Sequence, residues 1–157
     1  MDLFKILLFL HVIAAIAAFG PGFASMIVAP MVAREPQHAH WYARTQLTAS
    51  RRLVTPLAIS MAITGIALIL VKGRTTIVGT SHWLEASILL YVIVVVIAMA
   101  VLAPAGRKLV ALTSTPPAPG SGPSDELQKT GGRLRAGGMA LTGLVVVIVF
   151  LMVSKPF

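Results

Sequence analysis

Four stretches of this chain are long enough and apolar enough to cross a lipid bilayer, and that fact constrains everything else. A hydrocarbon core about 30 Å thick is crossed by roughly 20 apolar residues of α-helix. Residues 3–33, 53–71, 83–103 and 136–153 each meet or closely approach that length. No water is available there to satisfy the backbone, so each stretch must form its own hydrogen bonds as a helix. The expectation is an all-α, four-transmembrane-helix bundle forming a single membrane domain over residues 1–157. The composition supports it: 57% of residues are apolar, only 11% are charged, and the mean hydropathy is +0.88. Soluble domains are typically about half apolar and a quarter charged.

The first run contains Gly20-Pro21-Gly22. At about 1.5 Å per residue it is longer than the membrane is thick, so it is expected to tilt, or to kink at that unit. Lys5 ahead of an apolar core gives it some likeness to a signal peptide. The run continues past Ala24 through Met26, Ile27 and Val28, however, as an anchor does.

Orientation follows from the cations beside the spans. Arg34, Arg44, Arg51 and Arg52 lie between the first two, and Arg107, Lys108, Lys129, Arg133 and Arg135 between the last two. Lys5, Lys72, Arg74 and Lys155 lie on the other side, so the count is nine against four. Positive residues stay with the cytosol. This puts the two Arg-rich connections in the cytosol and both termini outside. The same cations produce the net charge of +8. They are not interleaved with aromatics into a base-stacking platform, so no nucleic-acid partner is expected. The partners expected are the lipid bilayer and another membrane subunit or a second copy of the chain. With no cysteine, disulfides and thiolate chemistry are excluded.

The last connection carries a Pro/Gly/Ser-rich stretch over about 114–123, read as a flexible cytosolic linker. The basic segment from Lys129 to Arg135 suits contact with anionic head groups. Pro56 is placed near the start of the second helix and Pro104 at the end of the third. Trp83, and Trp41 with Tyr42, are placed at the two interfaces.

Small residues permit close approach of helices in lipid. They recur as Ala14 and Ala18, as Ala58, Ala62 and Gly65, and as Ala140 and Gly143. Residues 93–97 of the third helix instead form a β-branched surface suited to lipid or a partner.

Polar groups inside a span are expensive and become functional candidates. His11 lies eight residues beyond Leu3, and Tyr91 eight beyond Trp83, each roughly 12 Å down its helix; Thr64 lies seven before Val71, roughly 10 Å. These depths predict a polar layer of His11, Thr64 and Tyr91. His82 and Glu85, three apart, share a helix face. Glu85 can pair with Lys72, Arg74 or solvent. His11 with His82 could ligate haem iron, and His11, His82 and Glu85 a divalent metal. A histidine hydrogen-bonded within the bundle explains the same residues without a ligand. His38 and His40 form a His-Ala-His unit able to bind copper or nickel weakly. No catalytic constellation, phosphate loop or paired carboxylate is evident.

The segments Leu10-His11-Val12-Ile13-Ala14-Ala15, Ala18-Phe19-Gly20-Pro21, Ser50-Arg51-Arg52-Leu53 and Leu102-Ala103-Pro104 resemble a family of bacterial predicted integral membrane proteins, domain-of-unknown-function family 2269. The likeness runs over nearly the whole chain. It implies a four-helix plasma-membrane protein and carries over no functional residue. The Leu10-His11 opening also resembles copper-resistance membrane proteins and the membrane protoporphyrinogen oxidase family, which is associated with haem. Only His11 matches that pattern, and Tyr91 stands where a second histidine would be wanted.

The functional expectation is an accessory or assembly subunit of a larger membrane complex. The alternatives are a haem- or metal-binding redox protein using His11 with His82 or Glu85, and a small transporter suggested by the broken first helix.

Overall fold

The apolar runs leave the backbone no partner but itself, and in the computed structural model each becomes part of a helix longer than its run. Residues 2–71, 82–115 and 122–156 are described. Helix α1 runs Leu3–Arg34, and α2 runs Ala39–Ala49 after a short 3-10 turn at Pro36–His38. Next come α3 (Thr55–Val71), α4 (His82–Ile97), α5 (Ala103–Thr113) and α6 (Asp125–Ser154). A π-helical turn, Ser50–Val54, joins α2 to α3, and another, Ala98–Leu102, joins α4 to α5. The result is four helices long and apolar enough to cross a membrane: Leu3–Arg34, Pro36–Val71, His82–Thr113 and Asp125–Ser154. No strand occurs among the described residues.

Three boundaries differ from those expected. Helix continues from Leu53 back to Pro36, from Ala103 on to Thr113, and from Ala136 back to Asp125. Hydropathy falls at these points but helical hydrogen bonding does not, so an apolar count stops short of the helix. Pro104 therefore does not end the third helix. The two π turns explain how helix and proline coexist. Each ends two residues before a proline, Pro56 or Pro104, which has no N–H and whose ring crowds the carbonyl four residues back. Widening the preceding turn moves the bonding to i→i−5: the Thr55 amide donates to the Ser50 carbonyl and the Ala103 amide to the Ala98 carbonyl. The Thr55 hydroxyl donates to the same Ser50 carbonyl at 2.8 Å. In α1, Pro21 and Pro30 lie within one continuous helix.

Helix α1 packs most extensively along α3, and α6 packs along α4 and α5 and more sparsely on α1. At the Arg-rich end, α2 packs against α5, where Ala43 and Ala105 are buried and a Cβ on Gly106 would meet Leu47 at 3.9 Å. Lys108 Nζ lies 2.6 Å from a Glu126 carboxylate oxygen and ties α5 to the polar first turns of α6. That hydrogen bond and the lysine's charge hold the Glu126 carboxyl below the usual carboxylate range.

The bundle interior is built from small and polar residues as much as large ones. Ala14, Ala18, Met61, Leu84, Val94, Val145 and Leu151 are buried together with Thr64, Ser87 and Thr130. Ser87, only 1% exposed, returns its hydroxyl proton to the Trp83 carbonyl at 2.7 Å. On α6 the close approach occurs at Gly137, where a Cβ would come within 2.8 Å of Leu102 Cδ2. Ala140 and Gly143, expected as the packing face of this helix, are exposed, and a Cβ on Gly143 would meet nothing within 4 Å.

Candidate functional site

A side-chain hydrogen bond inside the spans joins α1 and α3. His11 Nδ1 is 3.0 Å from the Thr64 hydroxyl oxygen. Thr64 can direct its one hydroxyl proton back along α3, where the Ser60 carbonyl lies at 2.9 Å and the Met61 carbonyl at 3.1 Å. When that proton goes to a backbone carbonyl, Nδ1 donates to the threonine oxygen and a neutral imidazole carries its lone pair on Nε2; when it goes to Nδ1, Nε2 carries the proton. Gly65 makes room for the ring: a Cβ there would stand 3.3 Å from His11 Cε1. The local sequence Thr64-Gly65 thus supplies both an acceptor for the histidine and the gap it occupies.

Tyr91 approaches the same helix from α4. Its hydroxyl donates to the Ala58 carbonyl at 2.7 Å. Ala58 lies six residues before Thr64, so the contact falls roughly 9 Å along α3 from the threonine, toward the Arg-rich end, measured between residue positions. His11 and Thr64 are brought together, while Tyr91 bonds to backbone of the same helix and not to either of them. No sequence signal names a carbonyl acceptor, because every residue carries one.

His82 and Glu85 meet each other at the end of the bundle that bears both termini. His82 Nδ1 lies 3.4 Å from Glu85 Oε2, and both side chains are exposed. Beside them Lys155 Nζ stands 5.7 Å from the Trp83 ring centroid, a cation–π arrangement. Lys72 and Arg74, considered as partners of Glu85, lie outside the described residues, as does most of the 114–123 linker. Among the described residues no three His, Asp or Glu side chains converge on a point where a metal ion could sit. The His-Ala-His unit divides as well. His38 Nε2 pairs with Glu35 at 3.4 Å, whereas His40 Nδ1 lies 3.3 Å from the Thr113 hydroxyl on α5.

Hydrogen bonds between membrane helices average about 0.6 kcal/mol in double-mutant cycles and reach about 1.7. A cycle of His11→Leu, Thr64→Val and the double variant, read by unfolding in detergent or bicelles, should give a coupling within that range. Strict additivity would contradict the bond.

Gly65, expected only as a small packing residue, is the floor under His11, and Gly137, which the sequence did not single out, is the contact with Leu102. Both could be suspected only as small residues in a span, without knowing which face they occupy.

No curated protein and no solved structure matches the chain. A family model described as "Predicted integral membrane protein (DUF2269)" matches residues 5–156. Four helices long and apolar enough to span a bilayer, carrying a histidine and a threonine bonded within the apolar layer, are thus found in a chain that belongs to the DUF2269 family of predicted integral membrane proteins.

Proposed function

We propose that this protein is a non-catalytic accessory or assembly subunit of a larger plasma-membrane complex, with its Arg-rich connections in the cytosol and both termini outside. The observation that supports this most is the outward face of α6. Gly132, Ala136, Ala140 and Gly143 recur at helical spacing, and all four are exposed. In lipid, small residues favour association by letting a second backbone come close, whereas lipid chains gain nothing from them. The exposed β-branched positions Ile93 and Val96 on α4 offer a second lateral surface. Crosslinking in native membranes, followed by purification, tests the proposal. A discrete adduct with one other membrane protein, or with a second copy, is expected. A monomer in mild detergent that gives no adduct in membranes would contradict it.

One observation favours a second reading, a haem- or metal-binding protein that uses His11 with His82 or Glu85. The Thr64 contact engages Nδ1, and in the tautomer where Nδ1 donates to the threonine oxygen Nε2 is the nitrogen with a lone pair, as in a histidine that a second partner prepares for ligation. Protein purified from its native membrane would then show a Soret band or about one equivalent of metal by elemental analysis, and His11→Ala would remove it. Neither signal is expected of an accessory subunit.

A further inference from the structure

At the Arg-rich end, a groove of about 800 Å³ lies between the second π turn with α5 on one side and the first turns of α6 on the other. On the first side Ala100, Val101 and Pro104 give it an apolar wall, and on the α6 side it carries Lys129 and Arg133. We infer that this groove is a binding site for one anionic phospholipid, its phosphodiester between Lys129 and Arg133 and an acyl chain along Ala100, Val101 and Pro104. The inference uses the membrane-spanning arrangement and is independent of the accessory-subunit proposal.

Position, spacing and charge all fit that occupant. Arg133 precedes Ala136, where the apolar part of α6 begins, by roughly 4.5 Å of helix, and Lys129 by roughly 10 Å. Those heights straddle the outer edge of the head-group layer, which extends about 5–8 Å beyond the hydrocarbon. Four residues apart, the two cations lie one above the other on one helix face. Lys108, also in the lining, is neutralised by Glu126. Among the described residues no carboxylate pairs with Lys129 or Arg133 within ion-pair distance. With Asp125 set against those two, one positive charge is left over, which matches the single negative charge of a phosphatidylglycerol-type head group. A zwitterionic lipid would leave it uncompensated. Basic pockets between spanning helices are established receptors for anionic head groups.

Native mass spectrometry of the purified full-length protein, titrated with phosphatidylglycerol or with phosphatidylcholine of the same acyl chains, tests this directly. The wild type should retain one phosphatidylglycerol in preference to phosphatidylcholine. Lys129→Gln with Arg133→Gln should weaken that retention roughly 30-fold. Arg51→Gln with Arg52→Gln, which removes the same charge away from the groove, should leave it unchanged. Ala100→Phe, which fills the apolar wall but keeps both cations, should also reduce retention and serves if the double glutamine variant is not recovered folded. Equal retention of the two lipids, or retention unaffected by either groove variant, would overturn the inference. Displacement of the lipid by millimolar inorganic phosphate would also overturn it, assigning the cations to a free anion.

Discussion

Replacing Ala14 and Ala18 together by leucine is expected to cost the bundle about 2–6 kcal/mol, from 1–3 kcal/mol for each overpacked position. Both alanines are buried, at 4% and 3% exposure, and they follow at helical spacing from His11, which bonds to Thr64 of α3. Each leucine adds three carbons where the opposing helix leaves room for a methyl group. The inserted volume must separate α1 from α3, and with them the contact of His11 with Thr64. Unfolding in bicelles or mild detergent measures the loss. Ile16→Leu, at a position 65% exposed, should change stability by no more than about 0.5 kcal/mol. Equal effects at the buried and exposed positions would contradict the packing described.

The second large effect is expected on the exposed face of α6. Ala140→Leu combined with Gly143→Ile should abolish the crosslinked adduct proposed above while leaving the stability of the isolated bundle nearly unchanged. Both positions are exposed, and a Cβ at Gly143 meets open space, so nothing within the chain resists the larger side chains. A partner helix that relies on close backbone approach would be held away by several ångström. Gly137→Ile provides the contrast on the same helix. Its side chain is driven into Leu102, so it should destabilise the bundle itself. If the outward pair lowers bundle stability as much as Gly137→Ile does, α6 is rotated relative to the arrangement described here. If it leaves the adduct intact, this face is not where a partner docks.

That contrast also shows where sequence stops being informative. The four spans are legible because lipid demands long apolar runs, and Trp83 and the Arg-rich connections sit where those runs end. Which side of a span faces inward is much harder to read. Lipid tails are as apolar as leucine, so Gly137 in the interior and Gly143 on the surface sit in similar company along the chain. Helix ends are obscured for the opposite reason. The residues of α2, and those of α6 before Ala136, are polar enough to halt an apolar count, yet they keep the hydrogen bonding of the helices they extend. The π turns were hidden too, since Pro56 and Pro104 announce a disturbance without specifying how the chain absorbs it. For the polar residues, depth counting places His11, Thr64 and Tyr91 near one another, but it cannot choose their bonds. Tyr91 had a backbone carbonyl within reach, and a carbonyl carries no signature in the sequence.

The proposed cytosolic placement of the Arg-rich connections rests on the uneven distribution of cations, and the proposed plasma-membrane location on the family resemblance; one labelling experiment addresses them together. The chain has no cysteine, so a single introduced thiol reports without background. Ser154→Cys, at the end of α6, should react with a membrane-impermeant maleimide in intact cells, or in spheroplasts where an outer membrane is present. Ser114→Cys, just after α5, should react only once the membrane is permeabilised. Labelling of Ser114→Cys in sealed cells, with Ser154→Cys protected, would reverse the orientation and contradict the topology from which the functional proposal is built.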